Sequence, residues 1–460
     1  MHASLSAYIS YLTYISHRNA LSCLKACKII SVFALLTACG GGGGGGGSNN
    51  FGDGIVTTIT ETTPAEGTLR PAVAESSYKS AIVDCVKIVN DDPVTSCKLS
   101  TLPFIGQKTS SPTKADILAQ TVVSHPWMAT RFSQLLDQMP KDIFLLFRGV
   151  TGVVIAADIR PSHYRSDTGA IYLDPADLWL NAAERATISK VEDYRTGFSN
   201  GLAFRNLGRY VQGNRYAYND YPLNGPVSSR SISDVVRPMA SLLFHELAHA
   251  NDFMPPSFVA QINSQLTAAD AISDMQSVFI STELKLQSRL NSQMLYDLAR
   301  VMFYGVAATD DQKRLGAEQV GLDFAIDGAN DSYNYSSQYE DVAMLFEEVM
   351  MKRHFNVDRE IAFTDAPPAI GATCANYVVR WGVRNRIGDP LVKSRAQLIV
   401  NKILGIDDAS VYFSALPVPR SMINGVDWCN NLSGAITNLG DVSQKTSDQP
   451  VPLRDLLPPH

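Results

Sequence analysis

Residues 241–252 read Ser241-Leu242-Leu243-Phe244-His245-Glu246-Leu247-Ala248-His249-Ala250-Asn251-Asp252. They close a segment from about Val236 to Asp252 that Pro255-Pro256 stops, since proline lacks a backbone N–H and disfavours helix in the residue before it. Leu243, Leu247 and Ala250 line one side of the predicted helix, and Met239, Leu242 and Ala248 extend apolar character around most of the rest. Such a helix belongs in a core, where two imidazoles and a carboxylate are costly unless something satisfies them. His245 and His249 stand one turn apart on the same face, so both nitrogens can reach one metal ion at about 2.0–2.1 Å. Glu246, next to the first ligand, is suited instead to act as general base on a metal-bound water. In a chain with 8 histidines this H-E-x-x-H pattern arises by chance roughly once in a hundred sequences. The alternative is a pair of core histidines satisfied by their neighbours.

Two histidines leave a catalytic zinc one protein ligand short. Asp252 follows on the ligand face and is better placed to orient an imidazole than to bind the ion. About ninety residues downstream, Tyr339-Glu340-Asp341-Val342-Ala343-Met344-Leu345-Phe346-Glu347-Glu348 reads as a second helix with an apolar stripe. Glu340 is the candidate third ligand, with Glu347, two turns along the same face, as its substitute. A rival reading makes Ser337-Gln338-Tyr339-Glu340 a capping box, in which the glutamate bonds back to the N-cap amide. His354, at the end of this helix, either reaches over the site or interacts with the helix dipole.

HExxH followed by a glutamate on a later helix resembles the gluzincin arrangement of the zincin-type metallopeptidases. His249-Ala250-Asn251-Asp252 with the later Glu340-Asp341-Val342-Ala343 is similar to the peptidases related to anthrax lethal factor. The resemblance covers two short segments. It implies a Zn2+ cofactor held by His245, His249 and Glu340, a zinc-bound water with Glu246 as its base, and a tyrosine shortly before the glutamate that steadies the oxyanion. Tyr333, Tyr335 and Tyr339 stand there, and Tyr333, seven residues before Glu340, matches that pattern best. Each also has a plain packing role open to it in the polar loop from Gly328 to Tyr335. Met344 departs from the Glu-x-x-x-Asp of the thermolysin type, which leaves the subfamily and the specificity open.

Working outward, Gly152-Val153-Val154-Ile155-Ala156-Ala157 and Gly169-Ala170-Ile171-Tyr172-Leu173 read as short strands bounded by turn residues. Lys114 to Met139 has helical periodicity interrupted at Ser124-His125-Pro126. Phe258 to Leu266, Thr282 to Tyr304, Asp310 to Phe324 and Tyr339 to His354 are helical in period. The expected fold class is α+β and, by the resemblance, zincin-like: a small sheet followed by a mainly helical catalytic region. An extended peptide in such folds pairs with an edge strand, and residues 169–173 are assigned to that rim of the cleft. The expected segments are a leader over 1–38, a tether over 39–74, an N-terminal α+β part with the sheet over 75–230, a helical zinc-binding part over 231–360, and a disulfide-pinned region over 361–460.

Arg18, Lys25 and Lys28 precede the apolar run Ile29 to Leu36 and then Leu36-Thr37-Ala38-Cys39, which reads as an export signal ending in a site resembling the lipobox of bacterial lipoproteins. Cys39 is then the lipidated residue and the membrane anchor. Eight glycines, Gly40 to Gly47, follow as flexible tether, and Gly40 in place of an aspartate resembles lipoproteins sent to the outer membrane, facing the periplasm or the surface. Four cysteines remain beyond the leader and anchor, an even number that suits an oxidising compartment, and proximity favours Cys85 with Cys97 and Cys374 with Cys429. The net charge of −6 offers no field for a phosphate backbone, which argues against nucleic acid. The expected partner is a peptide or protein substrate cleaved by a zinc metallopeptidase. The alternatives are a non-catalytic, surface-exposed binding or scaffolding lipoprotein, and hydrolysis of a cell-wall amide.

Overall fold

The computed structural model describes residues 69–456 except 90–91, 94–96, 415 and 434–447. The chain divides into two units, Met1–Glu61 and Thr62–His460, and every described residue belongs to the second. The expected export signal, Cys39 and the expected glycine tether lie outside the described residues. Among the described residues no helix is long and apolar enough to cross a membrane.

The first sheet is built from β1 (Arg70–Pro71), β2 (Thr121–Val123), β3 (Gly152–Ile155), β4 (His163–Arg165) and β5 (Ala170–Leu173). Its spatial order is β1-β2-β3-β5-β4. β2, β3 and β5 run parallel, while β1 and β4 pair antiparallel at the two ends. The inner strands are buried on both faces, which explains their unbroken apolar runs. The sheet starts at Arg70, ahead of the expected Glu75, because Arg70 and Pro71 pair with Val123 and Val122.

This topology corrects the assignment of the substrate rim. β5 lies between β3 and β4, with Tyr164 opposite Ile171 and Val153 on its other side, so both of its edges are already paired. The outer strand is β4, reached by a tight return in which Gly169 adopts φ +68°, a conformation costly for residues with a Cβ. His163-Tyr164-Arg165 is half-buried and polar at both ends, so its sequence reads as loop rather than strand.

A second sheet comprises β6 (Phe204–Gln212), β7 (Arg215–Tyr216), β8 (Asp358–Asp365), β9 (Val379–Arg384) and β10 (Arg420–Ser421), ordered β10-β9-β8-β6-β7. β6 comes from the 75–230 segment and pairs along its length with β8, which spans the 360/361 boundary, so those segments share one sheet. Its interior holds charge: Glu360 accepts from Arg209 Nε and Arg384 Nε at 2.6 Å each, all three residues buried. Buried ion pairs of this kind need both partners in place, and they hide the strands from a hydropathy reading.

The helices that position the site are α1 (Pro126–Leu136), α2 (Lys141–Leu146), α3 (Ile232–Phe253), α4 (Ile280–Ser288), α5 (Gln293–Tyr304), α6 (Ala317–Ala325), α7 (Gln338–Phe355) and α8 (Pro390–Leu404). The expected helix over 258–266 shrinks to Pro256–Val259, and the one over 282–304 breaks before Ser292, which caps α5. The one over 310–324 breaks before Gly316, and Lys114 to Met139 contains β2 between two helices. Phe244, Leu247, Phe346 and Ile399 join Val153 and Ile171 in the main core, so α3, α7, α8 and the first sheet share one apolar interior. Gly149 permits close approach to α3, since a Cβ there would meet the Ala250 carbonyl oxygen at 2.7 Å. Cys85–Cys97 and Cys374–Cys429 are both disulfides, as expected.

Candidate metal centre

α3 begins where Ser231 and Asp234 form a capping box and ends at Met254, ahead of the prolines. α7 begins where the Ser337 hydroxyl accepts from the amides of Tyr339 and Glu340. The N-cap reading of Ser337 therefore holds, but the Glu340 carboxylate turns away from its own helix terminus and onto α3. The helices pack antiparallel: Ser241 meets Glu347, and one turn on, His245 and His249 meet Glu340.

Glu340 Oε2 lies 2.9 Å from His245 Nε2 and 3.3 Å from His249 Nε2, and one ligand atom from each of the three residues falls within 4.8 Å of the others. This is a group that could hold a metal ion, with the two-imidazole, one-carboxylate donor set suited to a borderline cation. Burial alone would lower the His245 imidazole, but hydrogen bonds to Glu340 and Glu347 outweigh it and lift it to about 10. Burial would raise Glu340, but the charge of His249 and the bonds to both imidazoles hold it well below the usual carboxylate range. The cage thus favours positive charge at its centre.

Glu347 occupies a different place from the one a substitute ligand would take. Its Oε2 lies 3.2 Å from His245 Nδ1, the nitrogen facing away from Glu340, while its Oε1 accepts from Tyr210 and Ser241. A carboxylate on the far nitrogen fixes the tautomer and the ring plane and strengthens the near nitrogen as a donor. The orienting role expected of Asp252 falls here instead. Asp252 accepts from the Ser281 amide at 2.7 Å in the first turn of α4, where backbone N–H groups attract a carboxylate. Among the described residues no hydrogen bond joins Asp252 to His249, and burial pushes its carboxyl up to about 7.

The cage opens on a cavity of about 340 Å³. Glu246, 3% exposed, lines it beside His245 and His249. Tyr333 lines it too, its ring stacked 6.2 Å from that of His245 and held edge-on by Phe303 at 4.8 Å. Burial, then the Glu340 charge, pushes the Tyr333 hydroxyl well above the ordinary phenol value, so it stays a protonated donor. Its two neighbours pack elsewhere: Tyr335 donates to Asp327 at 3.0 Å in the core against α5 and α6, and Tyr339 rests on Phe253 at 4.7 Å. His354 does not bend over the site but stacks on Phe244 and meets Asp142 of α2 at 3.2 Å. The sequence reading missed the opposite wall, which consists of Pro161 to Tyr164, Tyr194, Arg195 and Phe198. These residues belong to no motif: Pro161 to Tyr164 come in with β4, and Tyr194, Arg195 and Phe198 lie in the turns ahead of β6.

No family model, no curated protein and no solved structure matches this chain.

Proposed function

We propose that the protein is a zinc-dependent metallohydrolase of zincin-like build, a peptidase. The observation that carries this reading is Glu246 in the same cavity as His245, His249 and Glu340, a base beside a three-donor cage with room for substrate. Bound by two imidazoles and one carboxylate, zinc supplies a Lewis acid that polarises a carbonyl and makes water acidic near neutral pH. Glu246 takes the proton of the attacking water and hands it to the leaving amine. Tyr333, kept protonated, donates to the oxygen that gains negative charge. The outer edge of β4 offers main-chain groups to an extended peptide, the role first assigned to residues 169–173. In this reading the chain is exported and held at the outer membrane through Cys39.

The test is to incubate the purified, zinc-loaded chain with a peptide mixture and identify new termini by mass spectrometry. Cleavage is expected, slowed about 10²–10⁴-fold in Glu246→Gln with zinc content unchanged. Undiminished cleavage in that variant contradicts the mechanism, and peptide binding without any cleavage by the parent favours the scaffolding alternative.

A further inference from the structure

A second cavity of about 530 Å³ adjoins the metal cleft, and Pro161, Ser162 and Arg195 line both. Several charges on its wall answer one another there: Arg160 pairs with Asp174, Arg195 with Asp193, and Asp177 faces Arg230 and Arg160. Arg359 lines the same cavity, but its partners lead to the metal cage. Strand pairing sets this up. On β8 and β6, Arg359 lies directly opposite Tyr210, so the two side chains leave the second sheet on one face, while their neighbours Glu360 and Arg209 leave it on the other. Gly208 shares the face of Tyr210 and keeps room for the guanidinium, since a Cβ there would meet Arg359 Nη2 at 2.9 Å. The guanidinium carbon stands 5.2 Å from the centre of the Tyr210 ring.

Two arms run from there to the cage. On one, the Tyr210 hydroxyl donates to Glu347 Oε1 at 2.9 Å, and Glu347 Oε2 holds His245 Nδ1 at 3.2 Å. On the other, Arg359 donates to Asp331 Oδ2 through Nε at 2.9 Å and Nη2 at 2.5 Å, and Asp331 Oδ1 accepts from the Tyr333 amide at 3.0 Å. The arms meet again where the Tyr333 ring stacks 6.2 Å from that of His245. Arg359, Tyr210, Asp331 and Glu347 are all buried, where hydrogen bonds to charged groups constrain geometry more strongly than at a wet surface. We infer that Arg359 is a positioning residue that sets the His245 imidazole through Tyr210 and Glu347, and the Tyr333 ring through Asp331, so that cage and donor keep one fixed relation. This role rests on the reading of Tyr333 as a donor beside a zinc cage, and it extends the catalytic machinery to a residue of the second sheet that does not line the metal cleft.

The experiment reads the arms separately in the full chain. Zinc affinity is measured by competition with a chelator, and the Tyr333 ring is followed in the zinc-free chain by fluorine NMR of 3-fluorotyrosine placed at position 333. Arg359→Lys keeps the charge but loses the two-pronged donor, so it should weaken zinc by about three- to tenfold, somewhat less than loss of an imidazole's own partner, and should also shift or broaden the fluorine line. With a peptide that the parent cleaves, kcat should fall by about 10- to 100-fold while KM stays unchanged. Tyr210→Phe keeps the ring beside Arg359 and should reproduce the zinc effect with an unmoved fluorine line. Asp331→Asn still accepts from the Tyr333 amide but turns a donor towards Arg359, and should move the fluorine line with zinc affinity unchanged. General loosening of the fold would instead disturb both readings in every variant, and that result, or an Arg359→Lys chain that matches the parent in either reading, overturns the inference. Should Arg359→Lys fail to fold, the opposite responses of the other two variants decide. If the parent cleaves nothing while both responses are seen, the peptidase reading fails and the positioning role stands, whereas cleavage with neither response gives the reverse.

Discussion

Glu340 and Glu347 lie two turns apart on one helix and hold the same imidazole, that of His245, by its opposite nitrogens. They open on different cavities. Glu340 lines the metal cleft with Glu246 and Tyr333, while Glu347 lines the larger cavity with Tyr210 and Ser241. Their partners separate them. Both oxygens of Glu347 are engaged, one by two hydroxyls and one by an imidazole, whereas the partners of Glu340 Oε2 are the two Nε2 atoms a metal would gather. A saturated carboxylate is placed to orient a ligand, and one shared between two imidazole nitrogens is placed to hold a metal ion with them. Residue type and helical spacing alone do not draw this distinction.

Replacing each glutamate in turn is the sharpest way to break the comparison. Glu340→Ala should weaken zinc binding by more than about 100-fold, and Glu347→Gln by about 10- to 100-fold, both measured by competition with a chromophoric chelator. The opposite order would exchange the two roles. On the cleft side, Tyr333→Phe should lower kcat by about 10²–10³ with zinc affinity and KM little changed. A rise in KM alone would make Tyr333 a wall of the cavity rather than a donor to the transition state.

On the side of the larger cavity the expected effect is smaller and concerns stability. Burial favours the neutral form of Asp177 in the folded chain, so ionising it costs folding free energy, and its contribution declines as pH rises from about 4 in the unfolded range through about 7 in the folded chain. Asparagine does not ionise. The Tm of Asp177→Asn relative to the parent should therefore climb between those limits, and a gap that stays constant with pH would show Asp177 to be solvated.

The parts of the site that follow a helical period were open to a sequence reading. His245, Glu246 and His249 share one turn of α3, and Glu340 and Glu347 share one face of α7, so spacing placed them correctly relative to their own helices. Which glutamate faces which nitrogen depends on the antiparallel register of α3 against α7, a property of packing that neither segment encodes alone. The strands were harder. β3 and β5 are uninterrupted apolar runs and were recognised, whereas β6 and β8 carry buried arginine and glutamate that satisfy one another, and β4 is short and half-buried at the rim. Asp252 illustrates the same limit, since its partner is an amide on α4, remote in sequence and visible only once that helix docks.

Metal analysis of the purified parent, Glu246→Gln and His249→Ala chains decides whether His245, His249 and Glu340 hold an ion. About one zinc per chain is expected in the parent and in Glu246→Gln, because Glu246 supplies no ligand, and its loss is expected in His249→Ala. Equal zinc in all three, or none in the parent after zinc loading, would contradict it.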